Sequence, residues 1–157
     1  MYKRQVFKCK YVILGHSERR EYNTDSNLLI LKKIKTVQKY GLKPIICIGE
    51  SIELRKNGEY LDFLKNQLKE CVPNFNDVIV AYEPIWSIGT GKIPTKNELK
   101  KTTIHIKKIL KSIYKKSPAV LYGGSVDRGN VETFKEIREI DGFLICLLYT
   151  SDAADDL

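Results

Sequence analysis

Ala81-Tyr82-Glu83-Pro84-Ile85-Trp86-Ser87-Ile88-Gly89-Thr90-Gly91-Lys92 is the stretch whose reading decides the fold. The run ahead of it, Val78-Ile79-Val80-Ala81-Tyr82, is too short for a helix and rich in β-branched residues, which predicts a buried strand. Glu83 stands where that strand ends, and Pro84 cannot continue a ladder. An apolar loop tip with two glycines follows, closed by Lys92-Ile93-Pro94. Thr95-Lys96-Asn97-Glu98 has the form of a capping box and predicts the start of a helix. The order is therefore strand, carboxylate, loop, helix. In parallel α/β folds, chemistry collects at the carboxyl ends of strands. A loop pinned by Pro84-Ile85-Trp86 and Lys92-Ile93-Pro94, with Ser87-Ile88-Gly89-Thr90-Gly91 between, reads as a rigid lid on two hinges. An ordinary connection would leave Trp86 and Ile88 as costly exposed apolar groups.

Upstream, the same unit repeats. Tyr11-Val12-Ile13-Leu14 predicts a strand, and Gly15-His16-Ser17-Glu18-Arg19-Arg20 follows its carboxyl end as a charged segment unlike turn chemistry. Residues 25 to 40 are predicted helical, with Leu28, Ile30 or Leu31, Ile34 and Val37 as the inward stripe. Thr24 or Asp25 can cap that helix, and Gly41 ends it. Pro44-Ile45-Ile46-Cys47-Ile48 is the next buried strand, ended by Gly49-Glu50-Ser51. A helical segment over residues 51 to 56 breaks at Asn57-Gly58. Tyr60, Leu61, Leu64 and Leu68 then continue a helical stripe to Val72-Pro73.

Downstream, residues 96 to 116 predict a long helix facing inward with Leu99, Thr103, Ile106, Ile109 or Leu110, and Ile113. Its lysines face water, and His105, with no catalytic neighbour, is structural. Ala119-Val120-Leu121-Tyr122 is a strand followed by Gly123-Gly124-Ser125-Val126, where glycines let backbone N–H groups approach an anion. A short helix over 130 to 138 and a final strand over 141 to 145 complete the alternation. Strands and helices in turn predict a parallel sheet.

Composition narrows the function. The chain has 157 residues, 43% hydrophobic and 29% charged, as in an ordinary globular domain. No apolar run reaches membrane-spanning length and no signal peptide is visible, which predicts a cytoplasmic protein without a membrane partner. The four cysteines lack metal-ligand spacing and read as reduced thiols. The net charge of +8 is scattered along helical faces without an aromatic-basic module, so no nucleic-acid partner is expected. Attraction of a small anionic substrate fits the charge better.

The words Tyr-Glu-Pro-Ile-Trp-Ser-Ile-Gly-Thr-Gly-Lys over 82–92 and Gly-His-Ser-Glu-Arg-Arg over 15–20 closely resemble the two catalytic signatures of the triosephosphate isomerase family. Tyr122-Gly123-Gly124-Ser125-Val126 matches part of that family's phosphate cradle. The resemblance implies a (β/α)8 TIM barrel, incomplete here, with strands four to eight in parallel. It implies Glu83 as catalytic base and His16 as neutral electrophile, with Gly89 and Ser125 gripping the substrate phosphate. Ser17, Glu18, Cys47, Glu50, Tyr122, Gly123 and Gly124 would support them. Pro84, Ile85, Trp86, Ser87, Ile88, Thr90, Gly91, Lys92, Ile93 and Pro94 would form the lid. The substrate would be a phosphorylated triose. No cofactor and no metal are implied. The family's parent is a homodimer, and the third loop that inserts into its partner belongs to the first three βα units, which have no counterpart in this sequence. The substrate-binding Asn and Lys after the family's first strand are likewise without counterpart. A different phosphate-binding barrel enzyme would share the phosphate turn but not both catalytic words.

Both ends look foreign to the family. Cys146-Leu147-Leu148-Tyr149-Thr150-Ser151 reads back as TGT CTC TTA TAC ACA TCT, which resembles a transposase end sequence used in sequencing libraries. Its reverse complement reads as Met1-Tyr2-Lys3-Arg4-Gln5 if GTG is the start. Residues 1–5 and 146–157 are accordingly expected to be translated adapter, and 6–145 the partial barrel domain.

Overall fold

The structure is a computed structural model and describes residues 9–22, 25–72, 77–114 and 117–145. The expected tails, 1–5 and 146–157, lie outside the described residues, as do Thr24, Pro73, Lys115, Lys116 and Cys146. Five strands run in chain order: β1 Tyr11–Leu14, β2 Lys43–Ile48, β3 Ile79–Tyr82, β4 Ala119–Tyr122 and β5 Gly142–Phe143. The helices are α1 Ser17–Tyr22, α2 Asn27–Lys39, α3 Ile52–Lys56, α4 Tyr60–Cys71, α5 Lys96–Ile113 and α6 Val131–Lys135. All strand pairs are parallel, and the sheet order is the chain order. Every crossover therefore moves to the next position along the sheet, the winding of a barrel rather than of a doubly wound sheet.

Register makes the two faces unequal. Leu14, Ile46, Val80 and Val120 are level with one another and belong to the core, with Ile34, Leu64, Leu68, Leu99, Ile106 and Leu110 from the helices. The alternate row, Ile13, Ile45, Ile79 and Ala119, lies outside that core, and Ile13 is 47% exposed. Glu83 continues the parity of Ile79 and Ala81, so the sheet delivers it to the end of this second, less covered face.

Helix boundaries depart from the sequence expectations in specific ways. The charged segment after β1 contains a helix, Ser17–Tyr22, to which no secondary structure was assigned from the sequence; it buries no residue, so no apolar period marks it. Ser26, not Thr24 or Asp25, caps α2, its hydroxyl accepting from the Leu29 amide at 3.2 Å. Asp25 is instead buried between Lys33 and Arg19. Leu28 is exposed, because the inward stripe runs through Ile30, Ile34 and Val37. The capping box at Thr95 and Glu98 is present. The helix it starts ends at Ile113, short of residue 116. The last helix covers Val131–Lys135 rather than 130 to 138, and the last strand only Gly142–Phe143. His105 bonds the Leu61 carbonyl oxygen through Nε2 at 3.0 Å, a structural contact between α5 and α4.

Candidate active site

The ladder runs one residue past β3: the Glu83 amide donates to the Ile48 carbonyl at 2.7 Å. That bond fixes the backbone from which the Glu83 side chain enters a cleft of about 270 Å³. Gly123 makes room for it, since a Cβ there would lie 2.8 Å from Glu83 Cγ. The residue is 3% exposed, and its Oε2 has no hydrogen-bond partner among the described residues. Burial pushes the carboxyl above its ordinary range, while His16, the Cys47 thiol, the Ser17 amide and Arg20 pull it back without cancelling the effect. A carboxyl of raised basicity, with one oxygen uncommitted and opening on a cleft, is equipped to accept a proton.

His16 faces it. Its Nε2 lies 3.8 Å from Glu83 Oε1, and its side chain is 21% exposed. Gly15, at φ +72°, turns the chain out of β1, and α1 begins immediately afterwards. Arg20 holds that turn. Its Nε donates to the Gly15 carbonyl at 2.8 Å, its Nη2 to the Cys47 carbonyl at 3.0 Å, and its Nη1 to Asn27 Oδ1 at 2.7 Å. One guanidinium thus ties the carboxyl ends of β1 and β2 together beside the histidine and the carboxylate. Cys47 is buried, and burial first, then the neighbouring Glu83 charge, raises its thiol well above the usual range, so it stays protonated beside that carboxyl.

The loop after β3, expected to act as the lid, begins as one 3-10 turn, Ile85–Ser87. Trp86 Nε1 donates to Glu50 Oε1 at 3.1 Å; the same oxygen receives the Tyr82 hydroxyl at 3.0 Å and Arg55 Nη1 at 3.0 Å. Glu50 is completely buried, and the Arg55 guanidinium lies over the rings of Tyr60 and Trp86 at 4.6 and 5.2 Å. Glu50 therefore anchors the start of that loop. Gly89 to Ile93 are exposed and Pro94 is buried. The Thr90 hydroxyl donates to the Trp86 carbonyl at 2.8 Å, which keeps the tip folded on itself.

His16, Glu83, Gly89, Gly124 and Ser125 share the cleft, with Ile13, Ile88 and Leu144 as its apolar walls. Tyr122 is buried behind the Ser125 turn. Ser17 is half-buried with its amide directed at Glu83, whereas Glu18 is exposed in the first turn of α1 and does not line the cleft. Arg20, Arg55 and Asp127 were not among the expected site residues. Arg55 had a signal, because a carboxylate at the end of a buried strand needs a cation and Arg55 is the first one after Glu50. Arg20 was visible only as one of two adjacent arginines. Asp127 lines the cleft, but its Oδ1 accepts the amides of Gly129 and Asn130 at 2.7 and 2.9 Å, a turn-capping role.

The sequence of residues 4–150 matches the family described as triosephosphate isomerase. The chain belongs to the triosephosphate isomerase family. It is 41% identical over 143 residues to the triosephosphate isomerase of Dehalococcoides mccartyi, covering 87% of this chain and 57% of that protein. The triosephosphate isomerase of Fusobacterium nucleatum is 42% identical over 144 residues, covering 86% and 57% respectively. That of Thermodesulfovibrio yellowstonii is 39% identical over 142 residues, covering 87% and 58%. The chain thus spans a little over half the length of these curated isomerases. Among the described residues no helix is long and apolar enough to cross a membrane.

Proposed function

We propose that this chain supplies the base and the electrophile of a triosephosphate isomerase, which interconverts dihydroxyacetone phosphate and glyceraldehyde 3-phosphate in glycolysis and gluconeogenesis. The observation that carries the reading is the facing pair: Glu83 Oε1 lies 3.8 Å from His16 Nε2, above the Gly123–Ser125 turn. Glu83 takes the proton from one carbon of the triose and returns it to the next. His16 donates a hydrogen bond to the carbonyl oxygen where negative charge develops, a division of labour well known for that isomerase itself. Backbone amides at Gly89 and in the Ser125 turn hold the phosphate, so binding energy remote from the reacting carbons positions them. Closure of residues 84–94 keeps water from the enediolate. Ser17 and Cys47 act on Glu83 through contact, and Glu50 holds Trp86 at the start of the loop. The complete enzyme works as a cytoplasmic homodimer.

A second reading concerns the 157 residues alone: a catalytically inactive piece, at most a weak phosphate binder. The exposure of Tyr11, Ile13 and Ile145 at 53%, 47% and 54% favours it, because these apolar residues sit on or beside the two outermost strands, β1 and β5. Such edges invite association. The test compares residues 1–157 with a completed barrel, in which upstream coding sequence restores the first three βα units. Each is incubated with glyceraldehyde 3-phosphate in deuterium oxide beside its Glu83→Gln variant. The completed barrel is expected to turn over substrate and label the product with solvent deuterium, and the shorter chain to match its variant. A completed barrel no faster than its Glu83→Gln variant would overturn the isomerase reading. Turnover by residues 1–157 above their variant would overturn the second.

A further inference from the structure

Arg20 is half-buried, always charged, and held by oxygens that carry no charge. Its three bonds go to the Gly15 carbonyl, the Cys47 carbonyl and Asn27 Oδ1. Among the described residues no carboxylate forms an ion pair with it. The place is tight: a Cβ on Gly15 would fall 3.1 Å from Arg20 Nη2 and 3.2 Å from the Cys47 carbonyl oxygen. Asn27, the first residue of α2, works in two directions. Its Oδ1 accepts from Arg20 at 2.7 Å, and its Nδ2 donates to Glu70 Oε2 on α4 at 2.8 Å. An aspartate there would accept from Arg20 equally well, but it would neutralise the guanidinium and meet Glu70 with a like charge. Asparagine keeps the exposed Glu70 carboxylate one side chain away from the cation.

That charge faces the candidate base. Around Glu83 stand His16 and Arg20 from the segment after β1 and Cys47 from β2, while the turn after β4 brings Gly123. Around Arg20 stand the thiols of Cys47 and, from α4, Cys71, with Glu70 beyond Asn27. Burial holds the Cys47 thiol well above its usual range and pushes that of Cys71 up to about 11, so both are neutral. His16 is neutral in the proposed scheme. Arg20 is then the standing cation of this group, and it opposes the upward push of burial on the Glu83 carboxyl.

We infer that Asn27 is a positioning residue of the candidate site: it holds Arg20 by an uncharged acceptor, so that the guanidinium keeps its whole positive charge beside the strand ends where Glu83 stands. The bond fixes the cation in place, and the neutrality of the acceptor leaves its field intact. A base that must be ionised to act is thereby ionised over a wider range of pH. The consequence for turnover rests on the isomerase reading; the effect on the Glu83 carboxyl does not.

The experiment uses the completed barrel and a charge swap, Asn27→Asp with Glu70→Gln. The swap keeps the net charge and both hydrogen bonds, with the glutamine amide now donating, and moves the negative charge onto Arg20. The Glu83 carboxyl is titrated by carbon-13 NMR, its signal assigned by its absence in Glu83→Gln, and the acid limb of kcat/KM is measured alongside. Both midpoints should rise by about half a pH unit in the swap, the scale of one partly screened charge. Asn27→Asp alone should move them the same way, and it decides the matter if the swap does not fold. Asn27→Ala frees the guanidinium without neutralising it, so kcat/KM should fall severalfold at every pH while the Glu83 midpoint stays. An unmoved Glu83 midpoint in the folded swap would overturn the inference, as would an equal rise in Asn27→Ala. A wild type without turnover would count against the isomerase reading, and the Glu83 titration would still decide the role of Asn27.

Discussion

A carboxylate removed from water without a full set of donors costs the fold free energy, and Glu83 is such a group. Its pKa in the folded chain is raised, mainly by burial. A group whose folded pKa lies above its unfolded value contributes stability below the unfolded value, and loses that contribution as pH rises through the folded one. At neutral pH the ionised Glu83 is therefore a net liability, retained at a position where a base is useful. Glu83→Gln in the completed barrel should raise Tm at neutral pH by roughly 2–4 °C, the size of a 1 kcal/mol gain in a chain of that length. Thermal unfolding repeated in acid, where the wild-type carboxyl is already protonated, should show the difference shrinking. An equal Tm at neutral pH would mean that the carboxyl finds donors in the folded state. With Glu83 as the proposed base, the same shift predicts an acid limb of kcat/KM above the ordinary carboxylate range, because a base must be ionised to act.

Helices α2, α3 and α5 start at side-chain caps, Ser26, Ser51 and Thr95. Thr95 Oγ1 accepts the Glu98 amide at 3.3 Å, while Glu98 Oε2 accepts the Thr95 amide at 2.8 Å, and α5 starts directly behind the lid. Thr95→Ala should cost about 1 kcal/mol of stability, the usual worth of such a cap, without abolishing turnover. Denaturant midpoints of the two proteins check this; identical midpoints would show that the lid's second hinge fixes the helix start unaided. This cap was legible in the sequence, as were all five strands and the carboxylate ending β3, because buried parallel strands read as short apolar runs. The cap of α2 was not, since Thr24, Asp25 and Ser26 are all capping residues and only the ion pairs with Lys33 and Arg19 withdraw Asp25 from the choice. Helix α1 carried no periodic signal because none of its residues is buried; the Arg20 guanidinium ties it to the strand ends across space. Arg55 was visible only as the first cation after Glu50, and its guanidinium, bonded to the buried Glu50 carboxylate, lies over the rings of Tyr60 and Trp86.

At the scale of the molecule, chain-order winding is what makes a site from distant words. Consecutive parallel strands bring residue 16 and residue 83 to the same rim, and successive ladder bonds, Glu83 to Ile48, Gly123 to Tyr82 and Leu144 to Tyr122, carry that rim across the sheet. The helix-covered face gives the core, and the opposite face, with Ile13, Ile45 and Ile79, leads up to the carboxylate. Glu83 is thus held by the sheet and His16 by the turn that Arg20 ties to the strand ends, whereas the proposed phosphate grip would depend on loops. A change at Glu83 that keeps its charge but shortens its reach should therefore damage chemistry far more than binding. Turnover of glyceraldehyde 3-phosphate by the completed barrel, with Glu83 intact and with Glu83→Asp, tests this most directly. A carboxylate withdrawn by one methylene, a misplacement near 1 Å, is expected to lower kcat by roughly a hundredfold while KM stays within a few-fold. An unaltered kcat in Glu83→Asp would contradict the assignment of Glu83 as the base.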